Sequence, residues 1–215
     1  MKKNEIKRVS VVVIVVVLVL MFSIGFIVYR NYLNVTKDVY IYKGINGETY
    51  TFQRFILENN TFHAIRVYAE VNGETKEYKY PLHYGPYEVE DIPIESNLDE
   101  KILKKWIYLT QDPELVNKSN GRSMLAVLEI GRITGTADYG LYQINTQAAY
   151  TMESDVKVPV KTCKDASDKV GIIEIRMGSK DAVYSENECV IVEGKDEQGL
   201  IKAADKLTLH LLGVF

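Results

Sequence analysis

Val9 to Tyr29, VSVVVIVVVLVLMFSIGFIVY, is a run of 21 residues without a charge, and no other stretch restricts this chain so strongly. As a helix it is long enough to cross a hydrocarbon core of about 30 Å. A secretory signal peptide is the rival reading, because Ser23 and Gly25 place a small-x-small pair near a cleavage position. The apolar core of such a peptide normally runs only about 7 to 15 residues, which favours an uncleaved anchor. No cysteine directly follows the run, so a lipoprotein anchor is excluded. Lys2, Lys3, Lys7 and Arg8 flank one side and Arg30 alone the other, which places the N-terminus in the cytoplasm and the bulk of the chain outside. The expected organisation is a cytoplasmic tail (1–8), a transmembrane anchor (9–29), a β-hairpin unit with an extended connection (30–95) and an α+β unit (96–215). Membrane lipid is thus the first expected partner. The span lacks GxxxG, so helix–helix assembly through it is not expected.

Of the overall net charge of −3, the stretch Met1–Tyr29 carries +3 and the remainder −6. An acidic domain is a poor ligand for polyanions, and nucleic acid is not an expected partner. Cys163 and Cys189 are the two cysteines of the chain. Both fall outside the membrane on this topology, where a pair more often forms a disulfide than it stays as two free buried thiols or serves as a reactive or metal-binding couple. Asn34-Val-Thr, Asn59-Asn-Thr and Asn117-Lys-Ser are candidate glycosylation sites, consistent with an external location.

Two related stretches, VYIYKGINGETYTF from Val39 and VYAEVNGETKEYKY from Val67, each hold Asn-Gly between runs rich in Tyr, Val and Phe. They predict two hairpins, since type I′ turns need positive φ at both central residues. Tyr40, Tyr42, Tyr68, Tyr78 and Tyr80 then fall at period-two spacings, read as half-buried pleats in preference to an aromatic binding face. Tyr80 to Glu95, with three prolines, predicts an extended connection that joins the hairpins and the C-terminal unit in one continuous core. Beyond it, Asn97 is a candidate cap for a short helix, Trp106 begins a buried strand, and Ser123 to Gly135 reads as a helix capped by Ser123 and stopped by Gly135. Three strand candidates come next, in YGLYQINTQAAYT, VGIIEIRMG and DAVYSENECVIVEG. The last helix has Asp196 as N-cap, Gly213 at C′ and a stripe of Leu200, Ala204, Leu207 and Leu211, with Lys202 and Lys206 off it. The expected fold class is α+β: antiparallel hairpins, then a β-α-β-β-β-α unit whose antiparallel or mixed sheet carries helices on one face.

Motifs that name a reaction are missing. The segment before Arg122 departs from a phosphate loop at Val116 and at Arg122 itself. There is no Gly-x-Ser-x-Gly, and His63, His83 and His210 stand far apart in sequence. HExxH and metal-ligand spacings are absent. Asp165 and Asp168 in CKDASDK lack the glycine and the terminal glutamate of a calcium loop and read as turn caps. No catalytic residue, cofactor or metal is therefore expected.

YGPYEVEDIPIE, IYLTQDPEL, TCKDASD and CVIVEGKDEQGLIKAADKLTLHLLGVF together resemble a family of archaeal single-pass membrane-anchored proteins with a paired-cysteine α+β ectodomain. The matching positions are Cys163, Asp165, Ala166, Cys189, Ala204, Asp205, Leu207, Leu212 and Gly213. The resemblance implies an archaeal source and a Cys-x-Asp-Ala … Cys ectodomain, and it brings no activity. A shorter stretch, Gly194-x-Asp196-x-x-Gly199 with Ala203, is similar to a strand–helix step in accessory domains of some sugar-cleaving enzymes. The expected function is a membrane-anchored extracytoplasmic binding or scaffold protein of the cell envelope, with another envelope protein or a glycan as partner. A membrane-tethered hydrolase of glycan or peptide is the alternative.

Overall fold

The computed structural model describes residues 21, 23–26, 38–71, 73–137 and 140–215, and the chain divides into two compact units, Met1–Val39 and Tyr40–Phe215. In the first unit 21 and 23–26 are helical. The rest of the span expected at Val9–Tyr29 lies outside the described residues. Among the described residues no helix is long and apolar enough to cross a membrane.

The first sheet is an antiparallel meander in the order β1 (Val39–Lys43), β2 (Thr49–Leu57), β3 (Asn60–Val71), β4 (Glu74–Leu82). Gly47 and Gly73, the glycines of the two Asn-Gly pairs, fall in turns at φ 83° and φ 80°. The first connection is longer than a two-residue turn and is closed by Gly44 N–H donating to Glu48 O at 2.9 Å. A further hairpin joins β2 to β3 through Glu58 and Asn59, at φ 50° and 65°, with Leu57 opposite Asn60. Alternation sends Tyr42, Phe52, Ile65, Tyr78 and Tyr80 into the core, while Tyr40 is partly buried and Tyr68 exposed.

The expected extended connection is broken by a short helix, α1 (Pro86–Val89), begun by a proline at its first position. Next comes α2 (Leu98–Ile102). Asn97 precedes it at φ 63° and makes no side-chain cap bond, so it turns the chain without capping it. β5 (Trp106–Gln111) leads to α3 (Pro113–Lys118), where Asp112 accepts from Glu114 N and Pro113 opens the helix. α4 (Ser123–Thr134) ends at Gly135 as expected, but Ser123 lies inside it, and Ser123 N donates to Ser119 Oγ at 3.2 Å.

The second sheet has the order β6-β5-β7-β9-β8, with β6 (Asn145–Tyr150), β7 (Val170–Met177), β8 (Ala182–Glu186) and β9 (Cys189–Gly194). It is mixed: β6, β5, β7 and β9 run parallel and β8 pairs antiparallel with β9. The expected strand DAVYSENECVIVEG is two, because Asn187 takes φ 57° and closes a hairpin with Glu186 opposite Cys189. The expected β-α-β-β-β-α series therefore gains a strand and a helix, and the fold is α+β.

Period-two alternation divides this sheet. Ile107, Leu109, Ile173, Ile175, Val190 and Val192 join the main core with α4 and with the last helix, α5 (Glu197–Leu211). Ile172, Cys189 and Ile191 form a smaller cluster with the partly buried Tyr108, Cys163 and Ala166. A 3₁₀ turn, Cys163–Asp165, presents Cys163 to this cluster, and the Cys163–Cys189 disulfide joins the turn to β9. The main core is continuous from the meander through α1, α2, α4 and α5 to the second sheet.

α5 is capped by Asp196, whose side chain accepts from Gly199 N at 2.7 Å, and ends at Gly213 at φ 80°. Its expected stripe is buried, yet so are eleven of its fifteen residues, which makes it a central helix. Lys206, expected on the outer side, is 3% exposed; its Nζ donates to Glu90 O at 3.1 Å and lies 3.3 Å from the Phe215 ring centroid. Burial lowers the Lys206 ammonium to about 8. Beyond α5 the terminus docks on the meander, where Tyr50 Oη donates to Gly213 O at 2.7 Å.

Candidate functional site

The meander brings two of the histidines close together. His63 on β3 stands opposite Leu82 of β4, and His83 is the next residue along. Each ring is held by a carboxylate from a helix. Glu88 of α1 accepts from His63 Nε2 at 2.8 Å, and Tyr40 Oη lies 2.7 Å from Nδ1. Because a carboxylate only accepts, Nε2 carries the hydrogen and Nδ1 accepts from the tyrosine. The Tyr40–His63–Glu88 chain is thus a hydrogen-bonded relay through a neutral imidazole. Burial holds the His63 imidazole below its usual range, against the opposing pull of Glu88. Burial likewise raises the Tyr40 hydroxyl. Gly85 N donates to the same Glu88 oxygen at 2.8 Å, which pins α1 to the relay.

His83 lies against Phe62, ring centroids 4.9 Å apart, and its Nδ1 bonds Glu129 Oε1 of α4. Behind it Asp205 of α5 accepts from Tyr84 N at 2.7 Å. Glu129 is 3% exposed and Asp205 0%. Burial, and after it the charge of Glu129, pushes the Asp205 carboxyl well above the usual carboxylate range. Glu129 Oε2 and Asp205 Oδ1 are buried and receive no N–H or hydroxyl donor among the described residues.

A cleft of about 580 Å³ opens in front of this group, lined among others by Phe62, His83, Tyr84, Glu88, Arg122 and Glu197. Arg122 Nη1 and Glu197 Oε2, at the starts of α4 and α5, pair across it at 3.3 Å. A second hollow of about 370 Å³, lined by Tyr40, Arg54, His63 and Tyr87, shares Thr61 and Glu88 with the first.

The disulfide, glycosylation and turn-cap residues read from the sequence lie elsewhere, whereas Asp205, a position of the family resemblance, belongs to this group. Cys163 and Cys189 form the disulfide on the far face of the second sheet. Asn59 is exposed in the β2–β3 turn and Asn117 is exposed at the end of α3, while Asn34 lies outside the described residues. Asp165 caps the 3₁₀ turn, accepting from Thr162 N at 2.8 Å, which lowers its carboxyl. His63, His83, Glu88, Glu129 and Asp205 do not stand out as a group in the sequence. A signal for two of them is present there: Glu129 falls on the apolar face Ala126–Glu129–Ile133, and Asp205 comes after the stripe residue Ala204. A carboxylate on an apolar helix face must find a partner inside.

Compared with known proteins, the chain matches no family model, no curated protein and no solved structure.

Proposed function

We propose that the protein is a single-pass, membrane-anchored binding protein of the cell envelope, kin to the archaeal family it resembles. Val9–Tyr29 serves as the lipid-embedded anchor, and the unit Tyr40–Phe215 takes its partner outside the cytoplasm. The observation that carries this reading is the cleft in front of His83. It combines aromatic rings (Phe62, Tyr84) with charges of both signs (Glu88, Arg122, Glu197), a lining suited to polar ligands with some apolar surface, such as glycans and peptides. The disulfide supports an oxidising compartment. The net charge of −6 beyond Tyr29 argues against nucleic acid.

The test uses full-length protein in detergent and fractionated envelope glycans and peptides, with binding followed by calorimetry. One fraction binds, and Arg122→Ala weakens it by about 10- to 100-fold, the value of a hydrogen bond to a charged group. Binding by no fraction, or binding indifferent to Arg122 and Glu197, would contradict the reading.

The second reading, a tethered hydrolase, is favoured by one observation: the Tyr40–His63–Glu88 relay next to the cleft, a side-chain order able to pass a proton. Release of reducing ends or new amines from the bound fraction, abolished in Glu88→Gln, would establish it in place of simple binding.

A further inference from the structure

Two buried carboxylates from different helices meet at one imidazole. Glu129 and Asp205 are 3% and 0% exposed, and among the described residues the one ion pair either makes is with His83. Lys202 and Lys206, the cations nearest Asp205 along α5, lie over the rings of Tyr84 and Phe215 instead. Arg132, one turn beyond Glu129, donates to Pro81 O at 3.0 Å. Each carboxylate accepts from the backbone through one oxygen, His83 N to Glu129 Oε1 at 3.3 Å and Tyr84 N to Asp205 Oδ2 at 2.7 Å. The other oxygen of each, Glu129 Oε2 and Asp205 Oδ1, is buried and receives no N–H or hydroxyl donor among the described residues, the two carboxyls facing each other within reach of a shared proton. Uncompensated acceptors of this kind are costly in an interior.

A ring nitrogen of His83 and one oxygen from each carboxylate lie within 4.8 Å of one another. A zinc-type ion bonds nitrogen and oxygen ligands at about 2.0–2.2 Å, so modest side-chain adjustment brings all three onto one centre. We infer that His83, Glu129 and Asp205 form a binding site for one divalent transition-metal ion. The single nitrogen among oxygen donors favours zinc, manganese or ferrous iron over calcium, which takes oxygen alone. One ion would compensate both carboxylates and tie α4, α5 and the segment after β4 together behind the cleft. The inference does not depend on what the cleft binds.

The experiment uses full-length protein in detergent, with affinity tag removed, stripped by chelator and then dialysed. Zinc uptake is measured by equilibrium dialysis with elemental analysis, and cobalt uptake by its visible absorption. The expected result is one zinc per chain, a cobalt band that zinc displaces, and a zinc-dependent rise in melting temperature. Glu129→Gln and Asp205→Asn each weaken uptake by more than about tenfold, while His210→Ala leaves it unchanged. Should the variants fail to fold, the wild type still decides: neither a cobalt band nor a zinc-dependent melting shift would overturn the site. Stoichiometric uptake that survives in both variants would overturn it too, as would protein that takes up no metal and shares a single proton between the two carboxyls. The cleft-binding assay on the same preparation shows separately whether the ligand reading stands.

Discussion

At the scale of single residues, the site depends on a position where a side chain is not tolerated. Gly85 has φ −81°, which any residue can adopt, but a Cβ there would fall 2.4 Å from Tyr40 Oη and 2.6 Å from His63 Nδ1. Gly85→Ala is therefore expected to cost about 1–3 kcal/mol through overpacking, read as a lower urea midpoint. Gly47 and Gly73 differ, since a Cβ there meets open space and the cost comes from positive φ alone. His63 supplies a pH test. Its folded-state pKa lies below 6.5, so the unfolded chain takes up this proton first as pH falls. Stability is full above 6.5 and is lost as pH drops from there toward the lowered folded value. The urea midpoint of the wild type should fall more steeply between about pH 7.5 and about pH 5 than that of His63→Gln. Parallel slopes would show that His63 titrates alike in both states. None of this pairing is legible in the sequence. Residues 46 apart join His83 to Glu129, and 121 apart join Tyr84 to Asp205, and only the packed fold brings them together.

At the scale of elements, legibility tracks the strength of the local signal. Asn-Gly marks two turns because glycine readily takes positive φ, whereas Glu58-Asn59 and Asn187-Glu188 close hairpins without glycine and give no comparable mark. α3 carries its signals in Asp112 and Pro113, yet the same Asp-Pro pair also reads as a strand end. Asp196 and Gly213 bound α5 correctly, but no linear pattern tells that both sides of this helix are covered. Lys206 reads as outward for that reason. The 3₁₀ turn at Cys163 has little packing of its own, and the disulfide fixes it to β9 across a sequence separation of 26. Reduction should lower stability by about 3 kcal/mol on the chain-entropy argument. Urea midpoints with and without a phosphine reductant check this, and equal midpoints would mean that the bond does not constrain the unfolded chain.

At the scale of the whole molecule, the meander and the second sheet share one core through α4 and α5, and the cleft opens where those helices begin. On the proposed reading, glycans or other envelope proteins outside the cytoplasm would be the partners of this unit. Placement and binding can be tested together in living cells. A photo-crosslinking amino acid is placed at Gln198, which lines the cleft, in the full-length protein expressed in its membrane. After illumination the adducts are identified by mass spectrometry, with Arg122→Ala as control. The expected result is one reproducible adduct with an extracytoplasmic glycan or envelope protein, reduced in the Arg122 variant. Adducts with cytoplasmic proteins, or adducts that do not depend on Arg122, would contradict an envelope partner held in this cleft.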